Sequence, residues 1–271
     1  MGRPKRRLGQ HFLFDPRILG RIADALGATP RDAVLEIGPG PGGLTAQLLA
    51  RTPHVVAIEK DADLLPRLRS RFPGLQLLEG DALDTDWHAA IAPALAAAGG
   101  EYLVTGNIPY NITTPLIDQA LTSPFPARIV FLVQKEVAER AAAVPGGGEY
   151  GALSVGVQAA CRVERLFTVT AGSFTPAPKV DSAVLRLTPR PDPLVAEADQ
   201  PAFRRFVVGL FGFRRKQLLR ALREHTGWPA DRVQSLLNGV GIDPTARPEV
   251  LDPAAFAALF AGRVDAEARA R

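Results

Sequence analysis

The stretch AVLEIGPGPGGLTAQLL, residues 33–49, decides the fold of this chain. It begins with a short apolar run typical of a buried strand, passes through a glycine-rich turn and ends in a helix-forming segment. Gly38, Gly40 and Gly43 have the G-x-G-x-x-G spacing of a nucleotide-binding turn, where glycines let the backbone approach a ligand. Glu59 lies near the distance at which an acidic residue binds the two hydroxyls of a ribose. The stretch predicts a nucleotide-like ligand without choosing among such ligands.

Working outward from this stretch, similar apolar runs alternate with helix-length segments as far as residue 134. The runs are AVLEI, VVAIE, LQLLE, YLVT and RIVFLV. Continuous apolar strands separated by helices indicate a parallel sheet with helices on both faces. Two later runs, RLFTVTAG and VDSAVLRLTP, predict an antiparallel hairpin that completes the sheet. The predicted class is therefore α/β, with a Rossmann-like, mostly parallel sheet.

A second, smaller domain is predicted after this sheet. The prolines of PRPDP, residues 189–193, cannot continue a strand, because proline lacks the backbone donor that a ladder needs. We therefore divide the chain into a domain at 1–188, a stiff linker at 189–200 and an all-helical domain at 201–271.

Composition and charge limit the classes of function. The chain has 271 residues, of which 46% are hydrophobic and 22% charged, so a globular protein is expected. Its net charge is only +4, but residues 203–223 carry seven cations and no acid, and the first seventeen residues are also basic. Such clusters predict an anionic partner. A single cysteine and the lack of any long apolar stretch predict a cytoplasmic protein that does not contact membranes.

Three acidic residues at successive predicted strand ends narrow the choice of ligand. Glu36 at the mouth of the glycine turn would repel a pyrophosphate but attract the ammonium and sulfonium of S-adenosylmethionine. Asp81 ends the third strand, where a carboxylate can accept a hydrogen bond from an adenine amino group or can cap the next helix. The pattern favours a methyl donor over a nicotinamide dinucleotide.

The stretch TGNIPYNITT, residues 105–114, holds two of the three asparagines of the chain. It follows the fourth strand, so it lies at the edge of the sheet where ligands bind. Adenine N6 is a poor nucleophile, and the Asn107 amide oxygen with the Pro109 carbonyl could accept its two hydrogens. Tyr110 offers a stacking face for the base. The alternative is that these residues form an ordinary turn. This chemistry requires no metal and no covalent nucleophile.

Several segments together carry a resemblance to a known family. They are GQHFL at 9–13, EIGPGPGGLT at 36–45, GDAL at 80–83, NIPYNIT at 107–113, QKEVAER at 134–140, YGALSV at 150–155 and FTPAPKVDSAVLRL at 174–187. The chain resembles the ribosomal RNA adenine dimethyltransferase family over nearly its whole length. The resemblance implies a class I methyltransferase sheet and conversion of two adjacent adenosines near the 3′ end of small-subunit rRNA to N6,N6-dimethyladenosine. It also implies S-adenosylmethionine as donor, S-adenosylhomocysteine as product and a partly assembled 30S subunit as partner of a monomeric enzyme.

The resemblance also assigns site residues by position. The cofactor would contact His11, Leu13, Gly38, Glu59, Asp81 and the backbone of Asn107, with residues 1–14 as a basic lid segment. Asn107, Pro109 and Tyr110, with Phe174 as a second stacking face, would hold the target base. RNA would contact Arg6, Arg7, Arg214, Arg215 and Lys216, while Lys179 would either bind a phosphate or cap a turn. The chain departs from the usual Asn, Leu and Leu of the family at His11, Pro41 and Ile108.

Three rival functions stay open at this point. A nicotinamide-dependent dehydrogenase would explain the glycines but not residues 107–110. A noncatalytic RNA-binding assembly factor would explain the basic segments. A large-subunit rRNA or DNA adenine methyltransferase would share the whole active site.

Overall fold

The structure is a computed structural model, and it describes residues 9–268. The predicted RNA contacts Arg6 and Arg7 lie outside the described residues, as does most of the predicted lid segment 1–14. Within the described part, the chain forms two compact units. Residues 9–138 and 163–189 form the first, and residues 139–162 and 190–268 form the second.

The first unit is built on a seven-stranded sheet. The strands of the first unit, including β1 and β8 outside this sheet, and its helices are β1 Phe12–Leu13, α1 Pro16–Leu26, β2 Ala33–Ile37, α2 Gly43–Leu49, β3 Val55–Glu59, α3 Leu65–Arg71, β4 Gln76–Glu79, α4 Trp87–Ala98, β5 Tyr102–Asn107, α5 Thr113–Ala120, β6 Arg128–Gln134, β7 Cys161–Val169, β8 Phe174–Thr175 and β9 Ser182–Pro189. The strand order is β4-β3-β2-β5-β6-β9-β7. The predicted α/β class and the five predicted strands up to residue 134 are confirmed.

Parallel pairing brings the ends of the central strands to one edge of the sheet. Strands β3, β2, β5 and β6 run parallel, and β9 runs antiparallel to β6. Every residue of β2 and β3 is buried, as expected for strands covered on both faces. Ile37, Glu59 and Asn107 end three of these strands, so their carboxyl ends meet where ligands bind in open α/β sheets.

A two-stranded sheet fixes the N-terminal segment onto this unit. Strand β1 pairs antiparallel with β8, with Phe12 opposite Thr175 and Leu13 opposite Phe174. Helix α1 follows directly, and the Asp15 carboxylate caps it by accepting a hydrogen bond from the Arg17 backbone N–H. Residues 10–13 are thereby held beside the carboxyl edge of the main sheet.

The second unit is helical. It contains the last three residues of helix α6 Lys135–Ala141, followed by α7 Ala152–Ala160, α8 Gln200–Phe211, α9 Leu218–Thr226, α10 Ala230–Gly239 and α11 Pro253–Ala268. Aromatic rings form much of its core, with Phe203 and Phe260 in edge-to-face contact at 5.6 Å between ring centroids.

This unit begins earlier than the sequence predicted. Residues 139–162 belong to it because the buried Tyr150 and Val155 share its core, and the Tyr150 hydroxyl donates to the Leu251 carbonyl at 2.7 Å. The predicted linker at 189–200 is not a free spacer either. Val195 is buried in the same core, and the Leu194 N–H donates to the Ala159 carbonyl at 3.0 Å.

The predicted all-helical domain at 201–271 is interrupted before α9. The segment from Arg214 to Lys216 forms turns, and α9 begins at Leu218. Among the described residues, no helix is long and apolar enough to cross a membrane.

Candidate active site

An open cavity lies at the carboxyl edge of the main sheet. It encloses about 920 Å³ of empty space, a figure that includes open solvent. The wall is formed by the N-terminal segment, the glycine turn, the ends of β3 and β4, and residues 107–112. Of the predicted site residues, the lining includes His11, Gly38, Glu59, Asp81, Asn107, Pro109 and Tyr110. One cavity therefore collects most of the residues that the sequence singled out.

Glu59 organises the glycine turn. Its carboxylate accepts hydrogen bonds from the Gly40 N–H at 3.0 Å and the Asp61 N–H at 2.7 Å, one on each oxygen. The side chain is only 5% exposed, and this burial raises its pKa above the usual value for glutamate. Each oxygen keeps a second lone pair that can accept from a ligand hydroxyl.

The glycines of the turn are needed for two different reasons. Gly38 and Gly40 have φ values of +66° and +57°, in the left-handed region that favours glycine. A Cβ on Gly38 would meet no atom within 4 Å, so this backbone faces open space. A Cβ on Gly40 would lie 3.1 Å from the Phe12 ring, so this glycine lets the N-terminal segment pack against the turn.

Glu36 does not play the part that the sequence analysis gave it. It is 1% exposed and is not part of the cavity lining. Its carboxyl group accepts from the Thr45 hydroxyl at 2.7 Å, and burial raises its pKa to about 8. It is therefore mostly neutral near pH 7 and supplies no fixed charge to the mouth of the turn. Side chains alternate between the two faces of β2. Because both faces of this strand are buried, the Glu36 side chain lies in the interior of the protein.

Asp81 is ionised and held in place. It accepts from the Leu83 N–H at 3.0 Å and forms an ion pair with Lys60, and these interactions, with Lys60 first, lower its pKa. Lys60 lines the same cavity, although sequence reasoning did not select it. The one sequence feature that could have indicated Lys60 as a lining residue is its position directly after Glu59.

Asn107 connects the N-terminal segment to the end of β5. Its side-chain N–H donates to the backbone carbonyl of His11 at 2.7 Å. No residue in the range 9–268 donates to its amide oxygen, which stays available at the cavity. The amide is thus oriented with its acceptor free, as a site for an amino group requires.

The Pro109 carbonyl differs from the prediction. It was expected to accept one hydrogen of the target amine, but it accepts from the Ile112 N–H at 3.2 Å and the Thr113 hydroxyl at 3.3 Å. The Thr113 hydroxyl also lies 3.4 Å from the Tyr110 carbonyl, so its single hydrogen is shared between the two carbonyls. Asn107 is left as the free acceptor of the pair.

The Tyr110 ring is in contact with His11. The two rings stack with centroids 5.5 Å apart and planes inclined by 24°. The Tyr110 hydroxyl bonds to Ser182 at 2.7 Å, and His11 Nδ1 bonds to the Pro176 carbonyl at 2.8 Å, so Nδ1 carries the proton. A base can stack on this face of Tyr110 only after the imidazole moves. His11, predicted as a cofactor contact, lines the cavity and also lies against the predicted base platform.

Leu13 and Phe174 are not part of the cavity. They face each other across β1 and β8, are 7% and 3% exposed, and pack in the hydrophobic core of this unit. Both side chains contribute packing in this structure, and the roles of Phe174 as a second stacking face and of Leu13 as a cofactor contact stay predictions. Lys179 is exposed on the segment between β8 and β9.

The predicted RNA triplet in the helical unit is partly neutralised. Arg214 forms an ion pair with Glu249 at 3.0 Å, and Lys216 forms one with Glu224 at 2.5 Å. Arg215, between them, is exposed. Glu249 and Glu224 are distant in sequence from their basic partners, so the sequence alone did not predict these ion pairs.

The strand order, the single antiparallel strand β9, the glycine turn and the acid at the end of β3 define the class of Rossmann-like methyltransferases. Among solved structures, a dimethyladenosine transferase from Plasmodium falciparum superposes with a TM-score of 0.79 and 28% identity, covering 94% of this chain and 98% of that one. The 23S rRNA methyltransferase ErmE superposes with a TM-score of 0.68 and 28% identity, covering 93% and 98%.

The family follows from the sequence comparisons. The model of the family described as ribosomal RNA adenine dimethylase matches residues 1–261. The ribosomal RNA small subunit methyltransferase A of Acidithiobacillus ferrooxidans is 44% identical over 266 residues, covering 97% of this chain and 96% of its own. The protein of that name from Pseudomonas aeruginosa is 44% identical, covering 95% and 93%. The chain belongs to the ribosomal RNA adenine dimethylase family.

Proposed function

We propose that this chain transfers methyl groups from S-adenosylmethionine to N6 of two adjacent adenosines near the 3′ end of small-subunit rRNA, giving N6,N6-dimethyladenosine. The observation that carries the proposal is the free amide oxygen of Asn107 beside the Tyr110 ring in the cavity. The substrate is rRNA in a partly assembled 30S subunit, the protein acts as a monomer in the cytoplasm, and the product of the donor is S-adenosylhomocysteine.

The residues of the cavity fit the proposed cofactor. Gly38 presents open backbone, Glu59 keeps lone pairs for ribose hydroxyls, and the ionised Asp81 can accept from an adenine amino group. When bound, S-adenosylmethionine supplies an activated methyl group on a sulfonium, so the protein needs to supply alignment rather than a covalent nucleophile. Within residues 9–268, no cluster of three or more histidine, cysteine or acidic side chains could hold a metal ion.

The free acceptor suits two successive methylations. Asn107 Oδ1 accepts one hydrogen of the target amino group and thereby aligns its lone pair, while Tyr110 limits the tilt of the base. An amine that already carries one methyl group has a single hydrogen left. Because Asn107 Oδ1 needs only one hydrogen of the amine, it can serve adenine and N6-methyladenine alike.

The choice of the small subunit rests on relatedness. The relatives named for small-subunit rRNA are 44% identical, whereas ErmE, named for 23S rRNA, is 28% identical with the same fold. The test is methyl transfer from labelled S-adenosylmethionine to undermethylated small subunits, followed by nucleoside analysis, with methylated subunits and large-subunit rRNA as controls. We expect label in N6,N6-dimethyladenosine of the small subunit. Label in large-subunit rRNA, or tight binding without label, would overturn the proposal.

Replacing Glu59 with glutamine should weaken S-adenosylmethionine binding by about 10-fold or more. A glutamine amide has one acceptor oxygen, so either the Gly40 N–H or the Asp61 N–H loses its partner and the glycine turn loosens. Isothermal titration calorimetry of the free enzyme measures the effect. Glu79→Gln, an exposed change on β4, is the matched control. An equal dissociation constant for both variants would rule out this role of Glu59.

A further inference from the structure

A second concave site lies in the helical unit, along the side of α9 and the turn that precedes α10. The groove is lined by Gln217, Leu219, Arg220, Arg223, Glu224, Gly227 and Trp228. It contains none of the residues placed in the active site and none of the predicted RNA triplet. Gly227 ends α9 with a φ of +72°, and this turn presents Trp228 at the groove wall.

The charges around the groove are unequally compensated. Glu224 accepts from both Lys216 at 2.5 Å and Arg220 at 2.8 Å, so this acid is shared between two cations. Arg223 is exposed, and no acidic side chain in the described part of the chain pairs with it. The groove therefore has a net positive charge, centred on Arg223.

Trp228 is held rigidly at the wall of the groove. The guanidinium carbon of Arg232 lies 3.7 Å from the centroid of its ring, and Arg232 also donates to the Ala266 carbonyl at 2.9 Å. The Trp228 backbone N–H donates to the Thr226 hydroxyl at 3.2 Å. A ring fixed in this way loses little conformational freedom when a ligand packs against it.

We propose that this groove binds a single-stranded segment of RNA, with Arg223 on a phosphate and Trp228 against a base. The inference rests on the proposed function, which makes RNA the substrate. An aromatic face next to an unpaired arginine is the arrangement that recognises unstacked nucleotides. An acidic peptide would engage Arg223 but would leave the indole without a partner, so the pairing of the two groups favours RNA.

The chain provides its own reporter for the test. It has two tryptophans, and Trp87 is 3% exposed with its indole N–H donating to the Ala82 carbonyl, so quenching by a bound ligand reports on Trp228. The full-length protein is titrated with a single-stranded RNA of roughly 10 nucleotides. We expect saturable quenching that is absent in Trp228→Phe.

The matched variants are Arg223→Gln in the groove and Arg190→Gln, an exposed arginine of the same unit outside residues 203–223. Arg223→Gln should raise the dissociation constant about 5-fold and reduce the slope of log K against log salt by about 0.7, as expected for one lost phosphate contact. Arg190→Gln should change neither quantity. Unchanged affinity and slope in Arg223→Gln, or stronger quenching by polyglutamate than by RNA, would overturn the proposal.

The outcome of the RNA titration can be distinguished from the outcome of the methyl transfer assay. If the protein methylates small subunits and Arg223→Gln leaves RNA affinity and slope unchanged, the groove proposal fails while the proposed function stands. If the RNA quenches Trp228 in an Arg223-dependent way but no methyl group is transferred, the groove stands and the proposed function fails.

Discussion

Replacing Asn107 with alanine should lower the single-turnover rate of methyl transfer by about 100-fold or more, while the dissociation constant of S-adenosylmethionine changes by less than about 10-fold. The reason is that Asn107 Oδ1 is a free acceptor in the cavity at the end of β5, so its loss removes the alignment of the target amine. The measurement combines rapid-quench transfer to undermethylated small subunits with calorimetric titration of the cofactor.

Asn238→Ala is the matched control for this variant. It makes the same chemical change on α10, where the amide accepts from Gln234 at 2.8 Å. We expect wild-type rate and affinity from it. The opposite pattern for Asn107→Ala, with cofactor affinity falling as far as the rate, would mean that the residue acts by holding the His11 carbonyl rather than by accepting from the base.

Replacing Glu36 with glutamine should raise the free energy of unfolding by a few kcal/mol above pH 8. The folded pKa of about 8 exceeds the ordinary value of 4.5, so the native state binds more protons than the unfolded state between these values. The wild type therefore loses stability as the pH rises from 4.5 to 8, and the loss then stays constant. Glutamine cannot ionise, and it keeps an acceptor for the Thr45 hydroxyl.

Denaturant unfolding at a series of pH values measures this effect. The difference between Glu36→Gln and wild type should be small near pH 4.5 and should grow up to pH 8. Glu79→Gln, already the control for Glu59, should show no such pH dependence, because its side chain is exposed in the folded protein. A difference that is constant with pH would mean that Glu36 is ionised in the native state.

The fold was predictable because its strands are recognisable in the sequence. Strands such as β2 and β6 are continuous apolar runs, and the glycine turn after β2 fixes which end of the sheet binds a ligand. The residues that end parallel strands, Glu59 and Asn107, could therefore be placed at one edge of the sheet from the sequence alone. The seven-stranded order with an antiparallel β9 agrees with that prediction.

The rest depended on contacts between distant segments. Leu13 and Phe174 face each other because β1 pairs with β8, and no local pattern predicts the pairing of two-residue strands. The ion pairs of Arg214 with Glu249 and of Lys216 with Glu224 likewise join residues that are 35 and 8 positions apart in the sequence. Glu36 was predicted to be a charged residue at the mouth of the turn, because a sequence does not show how deeply a side chain is buried or how burial changes its pKa.

The path of the chain between the two units bears on how this protein can be divided and inherited. Residues 139–162 leave the sheet, join the helical core through Tyr150, and return as β7. The helical unit is thus not an appendage at the end of a complete catalytic domain. A chain ended after residue 189 would keep α7 but lose α8 and α11, against which α7 packs, so a single cut at that point cannot separate the two units.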